Sequence, residues 1–354
     1  MKAPALLRGR GSASNPRNRF EAVELVPEQG DIDEVSSPAT RFFPDSSKTI
    51  IAYNDSPDVG FDASVNPYRG CEHGCIYCYA RPTHEYLGFS AGLDFETRIT
   101  VKEKAPELLR KELSSPKWKP RVLAMSGVTD CYQPVEKKLE LTRRCLEVLL
   151  EFRNPVGIVT KNFLVTRDID LLSELARTRC AAVFISLTTL DQKLSGLMEP
   201  RASRPARRLA AITVLAQAGI PVGFLLAPMI PALTDSEAPA IVQAAVRAGA
   251  RFGGYVPLRL PYAVKDLFES WLAQHYPGKK EKILNRIRAV RGGKLNDANF
   301  HSRMRGEGIF AEQMVELFQV ACKKAGISER GPLLSTEHFR RPSGSQLNLF
   351  QTRA

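Results

Sequence analysis

Residues 70–79 read Gly70-Cys71-Glu72-His73-Gly74-Cys75-Ile76-Tyr77-Cys78-Tyr79, placing three cysteines within eight positions, spaced Cys-x3-Cys-x2-Cys. One short loop can therefore wrap three thiolates around a compact metal centre. Thiolates are soft ligands that select zinc, cuprous copper or iron–sulfur clusters. No fourth cysteine is close in sequence, the next being Cys131. A [4Fe–4S] cluster on three cysteines leaves one iron open to an outside ligand, as direct reduction of a substrate requires. A zinc site completed by His73 or His84 as Cys3His is the competing reading, although zinc loops more often carry Cys-x2-Cys pairs. A disulfide framework fits poorly, since three crowded cysteines cannot all pair with one another.

Outward from this loop, short apolar runs alternate with helical periodicity. Strands are expected at 49–53, at 61–68 leading into the loop, and at 121–126, 155–161, 181–187, 221–226 and 255–258. Helices are expected at 104–113, 139–152, 168–179 with Asp168 as N-cap, 205–218 stopping at Gly219, 236–248, 263–276, 279–290 and 311–325. Strands alternating with single helices make βαβ units and a parallel sheet. Right-handed crossovers wrap such a sheet toward a barrel. Counted from the strand before Cys71, six units are present, and sites in such folds sit at the C-terminal ends of the strands. The cysteine loop follows the first strand and so falls on that rim.

The 354 residues are 44% hydrophobic, enough for a substantial core. No run of about 18 apolar residues exists to span a membrane, and residues 1–20 lack the apolar segment of a secretory signal. Seven cysteines without an export signal point to a reducing cytoplasm. The net charge of +12 favours a polyanionic partner. Lys2, Arg8, Arg10, Arg17 and Arg19 precede the first acid, Glu21; a second basic group is Lys279, Lys280, Lys282, Arg286, Arg288, Arg291 and Lys294. Residues 1–48, rich in Gly, Ser, Pro and Arg, are expected to be a disordered basic tail.

Cys-x3-Cys-x-aromatic-Cys, with Tyr77 as the aromatic, resembles the cluster loop of the radical S-adenosylmethionine (SAM) enzymes. The resemblance implies a [4Fe–4S] cluster whose free iron chelates SAM, and one-electron cleavage of SAM to methionine and a 5′-deoxyadenosyl radical. It also implies a reductant such as flavodoxin or ferredoxin. The expected fold is then α/β: a partial (β/α)6 TIM-like barrel of the radical SAM type at 49–262. A C-terminal helical extension at 263–340 would close its open side, and 341–354 would be a flexible tail. Among polar residues at strand ends, Lys161 is the candidate partner for the SAM carboxylate. Thr129 and Ser186 are candidates for the amino group and ribose.

The stretches Glu199-Pro200-Arg201-Ala202-Ser203, Arg207-Arg208-Leu209 and 218–228, with Val159-Thr160-Lys161 and Ser186, resemble the spore photoproduct lyase branch, often labelled "DNA repair photolyase". This likeness covers roughly residues 64–260, a partial-barrel core, and implies that Lys161, Ser186 and Arg208 help hold SAM. In that branch a cysteine after the second strand returns a hydrogen atom to the product radical. Gly127 stands at that position here. Cys131 is the candidate donor, against the simpler role of a buried small hydrophobe. The expected function is lyase-like, DNA-repair-related radical chemistry on a nucleic acid. The alternatives are an RNA or peptide substrate, or a non-catalytic zinc-stabilised nucleic-acid-binding module. Finally, Gln346-Leu347-Asn348-Leu349-Phe350 follows a Pro-Ser-Gly-Ser linker and resembles a bacterial sliding-clamp-binding peptide, with Gln346, Leu347, Leu349 and Phe350 as its contacts.

Overall fold

The computed structural model describes residues 7–21 and 38–342. The strands are β1 (Arg41–Pro44), β2 (Ile51–Tyr53), β3 (Ala63–Val65), β4 (Tyr68–Arg69), β5 (Arg98–Val101), β6 (Leu123–Met125), β7 (Val156–Thr160), β8 (Ala181–Ser186), β9 (Val222–Met229) and β10 (Phe252–Pro257). Strands β3, β6, β7, β8, β9 and β10 lie side by side in that order, all parallel. Strand β2 adds an antiparallel edge. Because the order is strictly sequential, every right-handed crossover steps the same way. The helices then share one face and the sheet curls about the other. This is the six-unit parallel architecture that the periodicity predicts, open rather than closed.

Burial explains why these runs become strands. Ala181, Ala182, Val183, Ile185 and Ser186 are all buried in β8, as a parallel sheet covered on both faces requires. Helix Leu141–Phe152 turns Cys145, Leu146, Leu149 and Phe152 onto the sheet. Asp168 does not cap its helix with its side chain. It accepts instead from the Tyr132 hydroxyl at 3.0 Å and pairs with Arg143 at 3.0 Å and Arg167 at 2.7 Å.

Two features depart from the sequence reading. A second sheet of order β1-β5-β4 braces the entry to the cysteine loop. And residues 7–21, expected to be structureless, lie along that loop. Gly11 N and Ser12 N donate to the two Glu96 carboxylate oxygens at 3.0 and 2.9 Å. The Asn15 side chain exchanges hydrogen bonds with Asp94, and Asn18 donates to the carbonyls of Glu85 and Phe89 at 2.9 Å. A Cβ at Gly11 would collide with the Gly74 carbonyl inside the loop. The arm is thus ordered by polar contacts to residues far along the chain.

In the C-terminal extension, helices Val264–His275 and Lys280–Val290 cover the cysteine loop. Leu267, Phe268, Trp271, Ile283 and Leu284 form one apolar cluster with Cys75, Ile76 and Tyr77. Helix Ile309–Ala325 lies against the last two strands, with the Phe318 ring 6.2 Å from Phe224 and 5.0 Å from Tyr255. Arg291, one of the basic group expected to face a polyanion, is buried. Its guanidinium donates to the Leu258 and Arg303 carbonyls at 2.6 and 2.8 Å, pinning the extension to the end of β10. Among the described residues no helix is long and apolar enough to cross a membrane. The clamp-like segment Gln346 to Phe350 lies outside the described residues.

Gly11→Ala should lift the arm while sparing the core. Overpacking of about 1–3 kcal/mol predicts tryptic cleavage near Arg17 and Arg19 at least about fivefold faster, where cleavage follows the opened population. An unchanged cleavage rate would show that the arm does not seat on Gly74.

Candidate active site

The loop from Gly70 to Tyr79 follows β4, the short strand of the three-stranded sheet that comes just after β3. Gly74 has φ of +67°, and a Cβ there would run into the Glu96 carboxylate, so only glycine fits the turn. Arg81 fixes the loop from beneath. Its fully buried guanidinium donates to the Cys75 carbonyl at 2.9 Å, Gly74 at 3.1 Å and Gly92 at 2.8 Å, and pairs with Glu96 at 2.5 Å. Gln133 holds the other end, accepting from Glu72 N at 2.9 Å and donating to the Gly70 carbonyl at 3.3 Å.

Cys71 and Cys75 are buried and Cys78 is half-buried. Burial pushes all three thiols up, with Asp130 adding to Cys71 and Glu199 to Cys75. Thiolates crowded in such a setting need a bound cation to exist at neutral pH. Among the described residues no three His, Cys, Asp or Glu side chains converge as one metal ion would require. Three thiols on one short loop are the donor set that a cubane takes, one thiolate at each of three corners. Of the two histidines of the zinc alternative, His73 places Nδ1 3.3 Å from Asp130 and Nε2 3.3 Å from the Asn162 amide, whereas both ring nitrogens of His84 are buried without a hydrogen-bond partner. His84 packs between Phe89 and Phe95, where burial lowers its pKa to about 4.

Three of the candidate cofactor residues gather beside the loop. Lys161 follows β7. Its Nζ lies 5.9 Å from the Tyr77 ring centre and donates to the Ala227 carbonyl at 3.2 Å. Its backbone N–H is held by Asp130 at 2.8 Å. Ser186 ends β8, and its carbonyl accepts from Arg208 at 3.1 Å. Arg208 is buried and ion-paired to Glu199. Thr129 stands apart from this group, its hydroxyl donating to the Tyr68 carbonyl at 3.2 Å. Cys131 is completely buried in the main core, and burial, then Asp130, pushes its thiol up. The thiol is therefore closed to a substrate at the rim, and the small-hydrophobe role is the one the structure favours.

Sequence reasoning passed over Glu199, quoted only as part of a motif. Glu199 accepts from the Tyr77 hydroxyl, from Thr188 at 2.8 Å and from Arg208, with Lys161 Nζ at 4.0 Å. Burial pushes its carboxyl up, but Arg208 and Lys161 outweigh that and bring it down to about 2. Asp130 was passed over as well. Burial raises it, yet His73 and the backbone N–H groups of Lys161 and Tyr132 hold it below the ordinary carboxylate value. Glu199 had cationic partners in view in Arg208 and Lys161, and that was the available signal; Asp130 faces His73 and the Lys161 backbone N–H instead.

The Glu199 value lies below its unfolded value of 4.5. The pairing therefore stabilises the fold fully above pH 4.5 and fades as pH falls toward 2, a contribution on the order of 3 kcal/mol. Glu199→Gln should unfold about 3–5 kcal/mol more easily at neutral pH. That deficit should shrink across this acid window in denaturant melts. A deficit independent of pH would mean that the carboxylate carries no charge in the fold.

A family model described as the Radical SAM superfamily matches residues 65–245, just over half of the chain. An uncharacterized protein of Mycobacterium tuberculosis is 37% identical over 231 residues, covering 64% of this chain and 68% of that one. An uncharacterized protein of Methanocaldococcus jannaschii is 29% identical over 222 residues, 63% of this chain and 79% of the relative. Among solved structures, spore photoproduct lyase complexed with dinucleoside spore photoproduct superposes with a TM-score of 0.57 at 16% identity, covering 80% of this chain and 78% of that chain. At that identity the likeness is one of fold.

Proposed function

Because this chain belongs to the radical SAM superfamily, we propose that Cys71, Cys75 and Cys78 hold its cluster and that its substrate is a nucleic acid. It is a radical SAM enzyme, and its cofactors are a [4Fe–4S] cluster and SAM. The bound pair supplies one-electron cleavage of a carbon–sulfur bond and, with it, hydrogen-atom abstraction.

The chain's own residues hold and orient. Arg81 fixes the carbonyls of the cysteine loop, and with them the three sulfurs. Lys161, whose charge acts on Cys75 and Cys78, is assigned to the SAM carboxylate. Arg208 spends its guanidinium on Glu199, Ser203 and Ser186, and so acts by holding Glu199 and Tyr77 in place. Ser186 remains assigned to the polar wall of the SAM site, and Thr129, whose hydroxyl is spent on the Tyr68 carbonyl, leaves it. The helices at 264–290 exclude water from the loop's back.

One observation carries the nucleic-acid reading. Arg259, two residues beyond β10, lies 5.4 Å from the ring centre of Tyr79, the neighbour of Cys78. Its buried Nε finds no hydrogen-bond partner, and it makes no salt bridge among the described residues. A half-buried cation without a carboxylate, at the rim of a radical site, suits an anion carried by the substrate, and phosphate supplies one. The net charge of +12 agrees in sign. The fold shared with spore photoproduct lyase supports DNA, and repair-like lyase chemistry, as the finer reading.

Reduced, anaerobically reconstituted enzyme should release 5′-deoxyadenosine from SAM faster when ultraviolet-damaged DNA is added. Arg259→Ala should remove that stimulation while keeping about four irons per chain. Cys75→Ala should lose the iron. Failure of every DNA and RNA to stimulate would overturn the substrate reading, and full iron in Cys75→Ala would overturn the ligand assignment.

The clamp-binding reading of Gln346, Leu347, Leu349 and Phe350 rests on sequence alone. Phe350→Ala should abolish capture by a bacterial sliding clamp; equal capture would remove the proposal.

A further inference from the structure

At the rim beside the cysteine loop, three segments contribute to one column of side chains. The rings of Phe20 and Tyr86 stack at 4.8 Å with 27° between their planes. The Arg19 guanidinium lies 5.0 Å from the Phe20 ring centre and 3.6 Å from that of Tyr262. A 2.7 Å ion pair to the buried Glu85 anchors Arg19. Residues 19 and 20 belong to the N-terminal arm, Tyr86 to the helical turn Arg81–Leu87 after the cysteine loop, and Tyr262 to the loop after β10.

The column does not serve the core. Tyr86 is 73% exposed, Tyr262 59% and Phe20 55%. Single exposed aromatics are ordinary, but here they are joined through a cation into one assembly with both ends open. Tyr262 adopts φ of +51°, a left-handed conformation costly for a bulky residue and one that clusters at functional sites. The position is suited to the chemistry. Arg259, three residues before Tyr262, reaches Tyr79 beside Cys78.

We propose that this column is a stacking platform for an unpaired nucleobase, so that the nucleic acid is engaged single-stranded or with a nucleotide swung out of the duplex. The proposal rests on the nucleic-acid reading above and specifies the form of the substrate. Every base has a π-face, and a fixed aromatic end takes it without regard to sequence. A base within a duplex has both faces covered by its neighbours, and only an unstacked one can lie on Tyr86 or Tyr262. Arg19 adds a cation within the stack, and the protein's positive charge draws in the phosphates.

The full-length holoprotein is titrated, by fluorescence anisotropy, into three probes of about 16 nucleotides: a single strand, its duplex, and the single strand with a central abasic run carrying the same phosphates. The single strand should bind tightest. The abasic probe, and the variants Tyr86→Ala and Tyr262→Ala on the intact strand, should each bind at least about fivefold more weakly. Tyr86→Phe should bind as the wild type does. Iron content and melting temperature equal to wild type certify the folding of each variant, and Tyr86→Ala stands alone if Tyr262→Ala does not fold. If the abasic probe, the duplex or the folded variants match the wild-type affinity for the single strand, the platform is overturned and the nucleic-acid reading survives. If the wild type binds none of the three probes, the nucleic-acid reading falls and the platform falls with it.

Discussion

Arg81 and Glu96 form the pair on which the site depends. Three sulfurs can receive one rigid cluster only if the backbone carrying them is fixed. Arg81 fixes it through the carbonyls of Gly74 and Cys75. A guanidinium without solvent is costly unless its donors are used and its charge is met. Here the carbonyls of Ala91 and Gly92 use the donors, and Glu96 meets the charge. The same carboxylate accepts from Gly11 and Ser12, so the arm, the loop and the turn at 91–96 are held by one buried ion pair.

A second buried pair works from the opposite side. Glu199, ion-paired to Arg208, accepts from the hydroxyl of Tyr77, which sits between the second and third cysteines. The loop is gripped at its carbonyls by one pair and at an aromatic side chain by the other. Buried pairs are poor sources of net stability, but removal of one partner is severe. That asymmetry suits a loop whose geometry matters more than its contribution to folding. Lys161 lies within reach of Glu199, so the cation assigned to SAM is oriented by the residue that positions Tyr77.

The periodic elements were legible in the sequence because their signals are local. Val156–Thr160, Ala181–Ser186 and Val222–Met229 are apolar runs of strand length, and the intervening helices carry stripes at helical spacing. The cysteine spacing was equally local. The arm was not legible, since Gly, Ser, Pro and Asn carry no periodic signal. Its order comes from Glu85, Asp94 and Glu96, more than sixty residues away. The sheet of β1, β5 and β4 escaped for the same reason. Asp168 heads its helix as expected, yet its carboxylate serves Tyr132, Arg143 and Arg167. Charge counting missed that Arg291 is spent on backbone carbonyls.

That last point changes how the basic balance should be read. Arg81, Arg208 and Arg291 are buried and serve the fold, Arg19 is paired with Glu85, and Lys280 with Glu269. A net charge of +12 therefore says less about recognition than its size suggests, and the informative cations are those the fold leaves unmet. Arg259 is one, lying against Tyr79 with no salt bridge among the described residues, where burial and then the repulsion of Arg303 outweigh the attraction of Asp58. A fold that half-buries a cation without a carboxylate in direct contact bears a desolvation cost on every molecule. A ligand that supplies the anion relieves that cost only when it binds. The unmet charge beside Cys78 thus acts as selectivity as well as attraction: it favours ligands that bring negative charge to the rim over neutral ones that would leave the cation as it is.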